Sequence, residues 1–496
     1  MKMKICFLLQ RSFWRIGHAL AVNLKNNFRV KEFCGYAHLR TTKEFLDSQK
    51  EIEYKPLILD EDIHKKYKEE KIDFEFLKRL EKDYGIPNLW PYLTIDRTLM
   101  YSILPREYPS DKPFYSHEEM LKILQVKARA IIAFLEKEKP NSLVLYQPGS
   151  TSNLLLFHIA KKMGIKTIVF YLPGIKNIYA ITEDYNRLSY AEKTFEKIEK
   201  DIYNSPLKEK AQKWINEFRK TPQPYHPDAS PGKNVLTRLE QMKFIFPKNF
   251  VKTTLWFIHL IFKKNKDYTD ERPVWFLIDR MKRKFRTIIG YSDLYDEIEE
   301  NEDFAFFPLS AEPELSLYLW APFITNQIEL AKHIARSLPA HFKLYVKEHP
   351  AMFGYRTRHY YKQLKKIPNV KLINPKIQGY DLIKKAKLIT IITGTGGWEA
   401  SILKKPVITF GNIFYNKLSM VKNCRCVDEL PYLVKEQLEN FQYNEQELIN
   451  FLAAIMEESV EINLIDLWYK EENLEKIKND PGIRKLADLL AKKLGL

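Results

Sequence analysis

Short apolar runs separated by amphipathic stretches recur along this chain, most regularly between Phe304 and Phe410. There, Phe304 to Pro308, Phe342 to Val346, Val370 to Ile373, Leu388 to Thr393 and Pro406 to Phe410 read as buried strands. Between them, Thr325 to Leu338, Arg358 to Lys366, Asp381 to Ala386 and Glu399 to Leu403 carry helical spacing. Such alternation predicts a parallel, doubly wound sheet whose ligands sit beyond the carboxyl ends of its strands. The N-terminal half repeats the theme more loosely. Lys4 to Leu9 and Pro56 to Leu59 read as strands, and His117 to Glu138 as an amphipathic helix with Ser116 at its N-cap. Ser142 to Tyr146, Leu154 to Met163 and Lys166 to Tyr171 make a strand–helix–strand unit, its helix stopped at Gly164.

With 496 residues the chain exceeds what one core supports. We expect an α/β domain over residues 1–233, a helical excursion over 234–299, a second α/β domain over 300–430 and C-terminal helices over 431–496. Pro222, Pro224, Pro227 and Pro231 mark the first boundary. Asp480 and Pro481 take the N-cap and N1 positions of the last helix. The excursion is basic and aromatic, with Met242 to Lys248, Leu255 to Lys264 and Met281 to Lys284 as its densest runs. Two readings of residues 235–290 stand side by side: peripheral docking on a membrane surface, and a helical layer packed on the main body.

Composition narrows the partners. Hydrophobic residues make up 45% of the chain, enough for substantial cores, while the net charge of +17 favours anionic ligands. No nucleic-acid motif accompanies the charge, so nucleic acid is not expected as a partner. Cys6, Cys34, Cys424 and Cys426 have neither CxxC nor metal-ligand spacing, which suits a reducing compartment. The apolar run after Met1 is too short for a signal peptide, and no run has the length of a membrane span. A cytoplasmic protein is expected, peripheral at the inner face of the cytoplasmic membrane.

The chemistry gathers at predicted strand ends. Lys347-Glu348-His349-Pro350 closes one strand, and Gly394-Thr395-Gly396-Gly397 closes another and opens a helix. Amides of such a turn, with the helix dipole, make an anion site, and Glu399 one turn inside is placed to accept from ribose hydroxyls. His349 is placed to donate to a phosphate oxygen as a nucleotide leaves. Lys347 and Glu348 alternate faces, so one of the two faces the site. Glu312, supported by Glu314, is a candidate for holding ribose or a base amino group, and Tyr415 is expected to line the cleft. The glycines match neither a Gly-x-Gly-x-x-Gly fingerprint nor a Walker loop. Asp60-Glu61-Asp62 invites a metal-dependent sugar-transfer reading, but is read here as the acidic start of a helix near Ile63.

Taken together, Phe307-Pro308-Leu309 with Glu312-Pro313-Glu314, Pro322-Phe323 with Asn326-Gln327, Lys347 to Pro350, Thr393 to Gly396 with Glu399-Ala400, and Lys405-Pro406-Val407 with Gly411 and Tyr415 resemble the capsule polysaccharide biosynthesis proteins. That family includes the Kdo (3-deoxy-manno-octulosonic acid) transferases. A fainter likeness runs through Tyr84-Gly85 to Trp90 with Asp96-Arg97, and Pro173 to Asn177 with Glu183-Asp184. The resemblance implies a GT-B glycosyltransferase: two Rossmann-like domains facing a cleft, the first on the acceptor side and the second holding a nucleotide-sugar. It implies a donor site of Lys347, Pro350, Gly394, Thr395, Gly396, Gly397, Glu399, Glu312, Glu314 and Tyr415, and a glycan or glycolipid acceptor. It also implies catalysis by His349 without a metal or other cofactor. The His-Pro pair is shared with bacterial sialyltransferases and points to a CMP-linked donor. The Asp-Gly-Phe motif of Kdo transferases is absent, which leaves Asp96, Glu183 and Asp184 as candidates for the general base. A nucleotide-sugar 2-epimerase, a CDP-polyol phosphotransferase and a nucleotide-binding capsule-assembly scaffold remain alternatives.

Overall fold

The structure, a computed structural model, describes residues 3–10, 13–85, 88–101, 113–223, 247–262, 268 and 273–496. Pro224, Pro227 and Pro231 and the run Met242 to Phe246, on which part of the boundary and excursion readings rest, lie outside the described residues, as do Lys263 and Lys264.

In chain order the strands are β1 (Lys4–Leu9), β2 (Glu32–Ala37), β3 (Tyr54–Leu59), β4 (Ser142–Tyr146), β5 (Lys166–Tyr171), β6 (Ile178–Thr182), β7 (Phe304–Pro308), β8 (Lys343–Lys347), β9 (Val370–Ile373), β10 (Leu388–Ile391), β11 (Val407–Thr409), β12 (Val421–Asn423) and β13 (Ser459–Glu461). They form two sheets, ordered β13-β6-β5-β4-β1-β2-β3 and β12-β11-β10-β7-β8-β9. The second is parallel throughout. In the first, only the β5–β6 and β6–β13 pairs run antiparallel. The chain therefore has the expected α/β class, with two Rossmann-like sheets.

Two compact units divide it. One contains residues 1–100, 115–211 and 449–496; the other contains 101–114 and 212–448. The last segment thus does not stand apart as C-terminal helices. It returns to the N-terminal unit, where β13 pairs with β6. Its closing helix, Pro481–Leu494, is capped by Asp480 and sends Ile483, Leu486, Leu490 and Leu494 into the core of that unit. There they join Phe13, Ile16 and Leu20 of the helix Phe13–Phe28.

Local sequence explains the best-defined elements. The helix His117–Glu138 starts in a full capping box, Ser116 and Glu119 each satisfying the other's backbone N–H. It buries Met120, Ile123, Leu124, Ile131 and Leu135 on one face, at the spacing a helix against a sheet requires. In the second unit β7 and β8 are buried almost end to end, as befits strands covered on both faces. Among the described residues no helix is long and apolar enough to cross a membrane.

Candidate functional site

The second sheet reverses direction once. From β7 the chain moves outward to β8 and β9, then returns to the other flank of β7 as β10 and continues to β11 and β12. In such sheets the crevice lies at that reversal, beyond the carboxyl ends of the strands. Pro308 lies level with Lys347. Ile389 lies level with Phe306, so Ile391 reaches the same height on the opposite flank. The loops carrying His349 and the glycine turn therefore leave from tips on either side of β7, about 10 Å apart by two strand spacings.

His349 holds the N-cap position of a short turn, Pro350–Met352. Its Nδ1 accepts from the Ala351 N–H at 3.2 Å, which leaves the proton on Nε2. Nε2 has no partner among the described residues. Burial lowers the imidazole pKa to about 4; Glu348 opposes the shift and Lys347 and Arg356 reinforce it. At neutral pH the ring is a neutral donor. Lys347 is only 5% exposed. Its amine has no ion-pair or hydrogen-bond partner among the described residues, and burial lowers its pKa to about 8. A lysine this enclosed without a carboxylate is costly unless an anion visits it.

Glu348 points the other way, into a buried lattice that sequence reasoning missed. Its Oε1 accepts from the His349 N–H at 2.6 Å and from Arg356, and its Oε2 from the Tyr361 hydroxyl at 2.7 Å. Arg356 also reaches the Ser310 carbonyl at 2.8 Å and Glu312 at 3.3 Å. Gln327 donates to the other oxygen of Glu312 at 2.6 Å and accepts from the Ser310 N–H at 2.7 Å. Both carboxylate oxygens of Glu312 are thus committed inside the protein, and the residue braces the β7 tip instead of presenting an acceptor to ribose. Glu314 is exposed, at the N-cap position of the helix Leu315–Trp320. Gln327 stood among the residues that carry the family resemblance, without this role, and Arg356 could have been suspected only as a charged side chain shortly after a strand. Nothing local fixes their pairing.

The glycine turn owes its composition to close packing. The helix Thr395–Ile402 begins directly at Gly394. A Cβ on Gly397 would stand 2.8 Å from the Tyr415 ring and 2.9 Å from Ile391, and one on Gly394 2.8 Å from Ile391. Tyr415 is fully buried, and its hydroxyl donates to the Gly394 carbonyl at 2.6 Å. It supports the turn from beneath and does not line an open surface. The N–H groups of Thr395 and Gly396 are those a helix leaves without internal partners. Glu399 follows one turn on, where the Tyr380 hydroxyl donates to it at 3.1 Å. Burial raises its pKa to about 7, against the pull of Tyr380, and no cation pairs with it among the described residues. The turn, Glu399, Lys347 and His349 are the sequence-expected residues that the sheet brings to one edge.

The three base candidates lie in the N-terminal unit, and each is engaged. Asp96 is buried and accepts from the N–H groups of Thr98 at 3.0 Å, Leu99 at 3.3 Å and Thr151 at 3.0 Å. Asp184 is ion-paired with Lys161, and Glu183 meets Lys193 at 3.3 Å. The reversal point of that sheet, between β1 and β4, carries amides instead: Asn153 donates to Gln10, whose own amide reaches the Gln147 carbonyl at 3.4 Å, and His38 meets Asn153 at 2.6 Å. Asp60, read from sequence as the acidic start of a helix, does open one at Asp60–Lys65, but it is buried and ion-paired with Lys127 at 3.0 Å.

In comparisons with solved structures the chain is similar to the KpsC β-Kdo 2,7 transferase of Thermosulfurimonas dismutans, at 14% identity and a TM-score of 0.38 over 77% of this chain and 90% of that one. The β-Kdo 2,4 transferase of the same KpsC matches at 13% identity and 0.39, over 66% and 83%. The UDP-GlcNAc 2-epimerase of Neisseria meningitidis matches at 14% identity and 0.22, over 99% and 100%. Transferases and epimerases thus stand together, and likeness of this degree does not choose between them. No curated protein sequence matches the chain. Residues 202–423, which include every candidate donor-site residue from Glu312 to Tyr415, match the model of the capsule polysaccharide biosynthesis protein family.

Proposed function

We propose that the chain is a metal-independent, GT-B-type glycosyltransferase of surface or capsular polysaccharide assembly. It moves a sugar from a nucleotide-sugar to a glycan or glycolipid acceptor at the inner face of the cytoplasmic membrane. The observation that carries this reading is the pair of unpartnered donors, His349 Nε2 and the Lys347 amine, across β7 from an open helix N-terminus. A departing nucleotide gathers negative charge on its phosphate, and fixed donors in a water-poor recess stabilise that charge more in the transition state than in the ground state. In this reading the amides at Thr395 and Gly396 receive one phosphate oxygen. His349 donates to another and Lys347 supplies charge. Pro350 fixes the turn that aims the imidazole, Gly394 and Gly397 allow the close approach, and Glu399 bonds a ribose hydroxyl. Glu312 and Tyr415 hold the tips in place. Of the base candidates, Glu183 is the least tied and is the carboxylate to test first.

A CMP-linked sugar is the donor to try first, beside UDP- and CDP-linked ones. Incubating the purified chain with each, with and without acceptor glycan, tests the reading. Acceptor-dependent transfer is expected, and His349→Ala should lower it by about 100-fold or more. Isomerisation of the donor alone would make the chain an epimerase, and transfer of a polyol phosphate would make it a phosphotransferase. Binding without turnover would make it a scaffold. Any of these three outcomes overturns the proposal.

A further inference from the structure

The helices Pro247–Phe262 and Pro273–Ile289 are built inside out. A helix on a water-soluble protein buries its apolar stripe and shows its charges. Here Val251, Leu255, Ile258 and Phe262 recur at helical spacing on the first helix, all exposed, with Leu255 62% and Phe262 74% accessible. On the second, Val274, Ile278, Met281, Phe285 and Ile288 form the matching stripe, with Phe285 66% accessible. On this second helix the face turned to the protein is the polar one. Arg283 donates to the Tyr355 hydroxyl at 2.8 Å, Arg286 to the Tyr355 carbonyl at 2.5 Å, and Thr287 is buried against Gly354. Trp256 and Phe276 meet across the pair with ring centroids 4.7 Å apart and planes tilted by 53°, which ties the two helices into one exposed element. Its apolar extent exceeds what scattered surface residues explain.

Charge selects the occupant. The first helix carries Lys248 and Lys252 and no carboxylate; the second, besides the two arginines turned to Tyr355, carries Arg280, Lys282 and Lys284 against a single Asp279. A second copy of this chain would set like charges together. Anionic headgroups with acyl chains beneath them answer both features. We propose that this helix pair docks the protein on the surface of an anionic phospholipid bilayer, its apolar stripes in the acyl boundary and its cations among the headgroups. Neither helix has the length and hydropathy of a span, so the pair lies in the interface. The second helix rests on Gly354 and Tyr355, next to the Arg356 that holds Glu348, so docking would occur beside the His349 loop.

The surface can be tested without any assay of sugar transfer, so its failure is distinguishable from failure of the transferase reading. The full chain is sedimented with vesicles of phosphatidylethanolamine containing a quarter phosphatidylglycerol, and with phosphatidylcholine vesicles. Binding to the anionic vesicles is expected to be about tenfold or more stronger, and to weaken with salt. Leu255→Glu with Phe285→Glu should reduce it by about tenfold or more, with the circular dichroism spectrum unchanged because both side chains are exposed. Lys248→Glu with Lys252→Glu, an independent variant, should weaken binding to the anionic vesicles alone. Absent binding, or variants that bind like the parent, would overturn the proposal. So would a dimer in analytical ultracentrifugation that Phe285→Glu dissociates, since the surface would then belong to a second copy.

Discussion

Arg356 shows how much of the site is held by a single buried side chain. It joins Glu348, just beyond β8, to Ser310 and Glu312 beyond β7, and both carboxylates are buried. Replacing it by leucine leaves two enclosed carboxylates uncompensated, so Arg356→Leu should cost about 3–5 kcal/mol in urea unfolding. Glu399 makes a prediction of opposite character. Its pKa in the folded chain, about 7, lies above its ordinary 4.5, so between those values the native state holds more protons than the unfolded one. Stability contributed by this group is present below about pH 4.5 and is lost as pH rises towards 7. Glu399→Gln should therefore lose less stability than the parent between pH 5 and pH 7.5 in paired unfolding titrations. His349 acts in the other direction, because its folded pKa of about 4 lies below 6.5 and acidification through that window is destabilising. His349 and the glycine turn were legible in the sequence because strand-tip chemistry is local. The inward commitment of Glu312 and Tyr415 was not, since Arg356, Gln327 and Gly394 reach them only through the tertiary fold.

At the scale of elements, the turn at Gly394 is held between Ile391 above and Tyr415 below. Gly397→Ala should cost about 1–3 kcal/mol by thermal unfolding, because the methyl group meets both neighbours within van der Waals radii. Tyr415→Phe in the same chain should recover part of that loss by removing the hydroxyl. A Gly397→Ala variant as stable as the parent would show that the turn is looser than these distances imply. Strands of continuous apolar character were readable to within one or two residues, as was the helix His117–Glu138 with Ser116 at its N-cap. The helix after β10 was expected from Glu399 and begins at Thr395, because glycine and threonine signal a turn even where they form the first turn of a helix. β2 escaped notice, its Cys34 and Gly35 giving neither alternation nor a β-branched run.

For the molecule as a whole, the return of the last residues to the first unit is what sequence periodicity could not reveal. Helical spacing in Pro481–Leu494 announces an apolar face but not which core receives it. Deleting residues 474–496 should strip Ile477, Ile483, Leu486, Leu490 and Leu494 from the N-terminal core and leave that unit unfolded or aggregating, read by proteolysis of residues 1–211. The second unit, whose core contains none of these side chains, should survive the same digestion. The central claim concerns that second unit, and a crystal structure of the chain with its preferred nucleotide-sugar tests it most directly. The account predicts the donor phosphate between the N–H groups of Thr395 and Gly396 and His349 Nε2, with the Lys347 amine beside it. A nucleotide bound at the Gln10, Gln147 and Asn153 cluster of the first sheet, with the β7–β10 crevice holding only solvent, would contradict it.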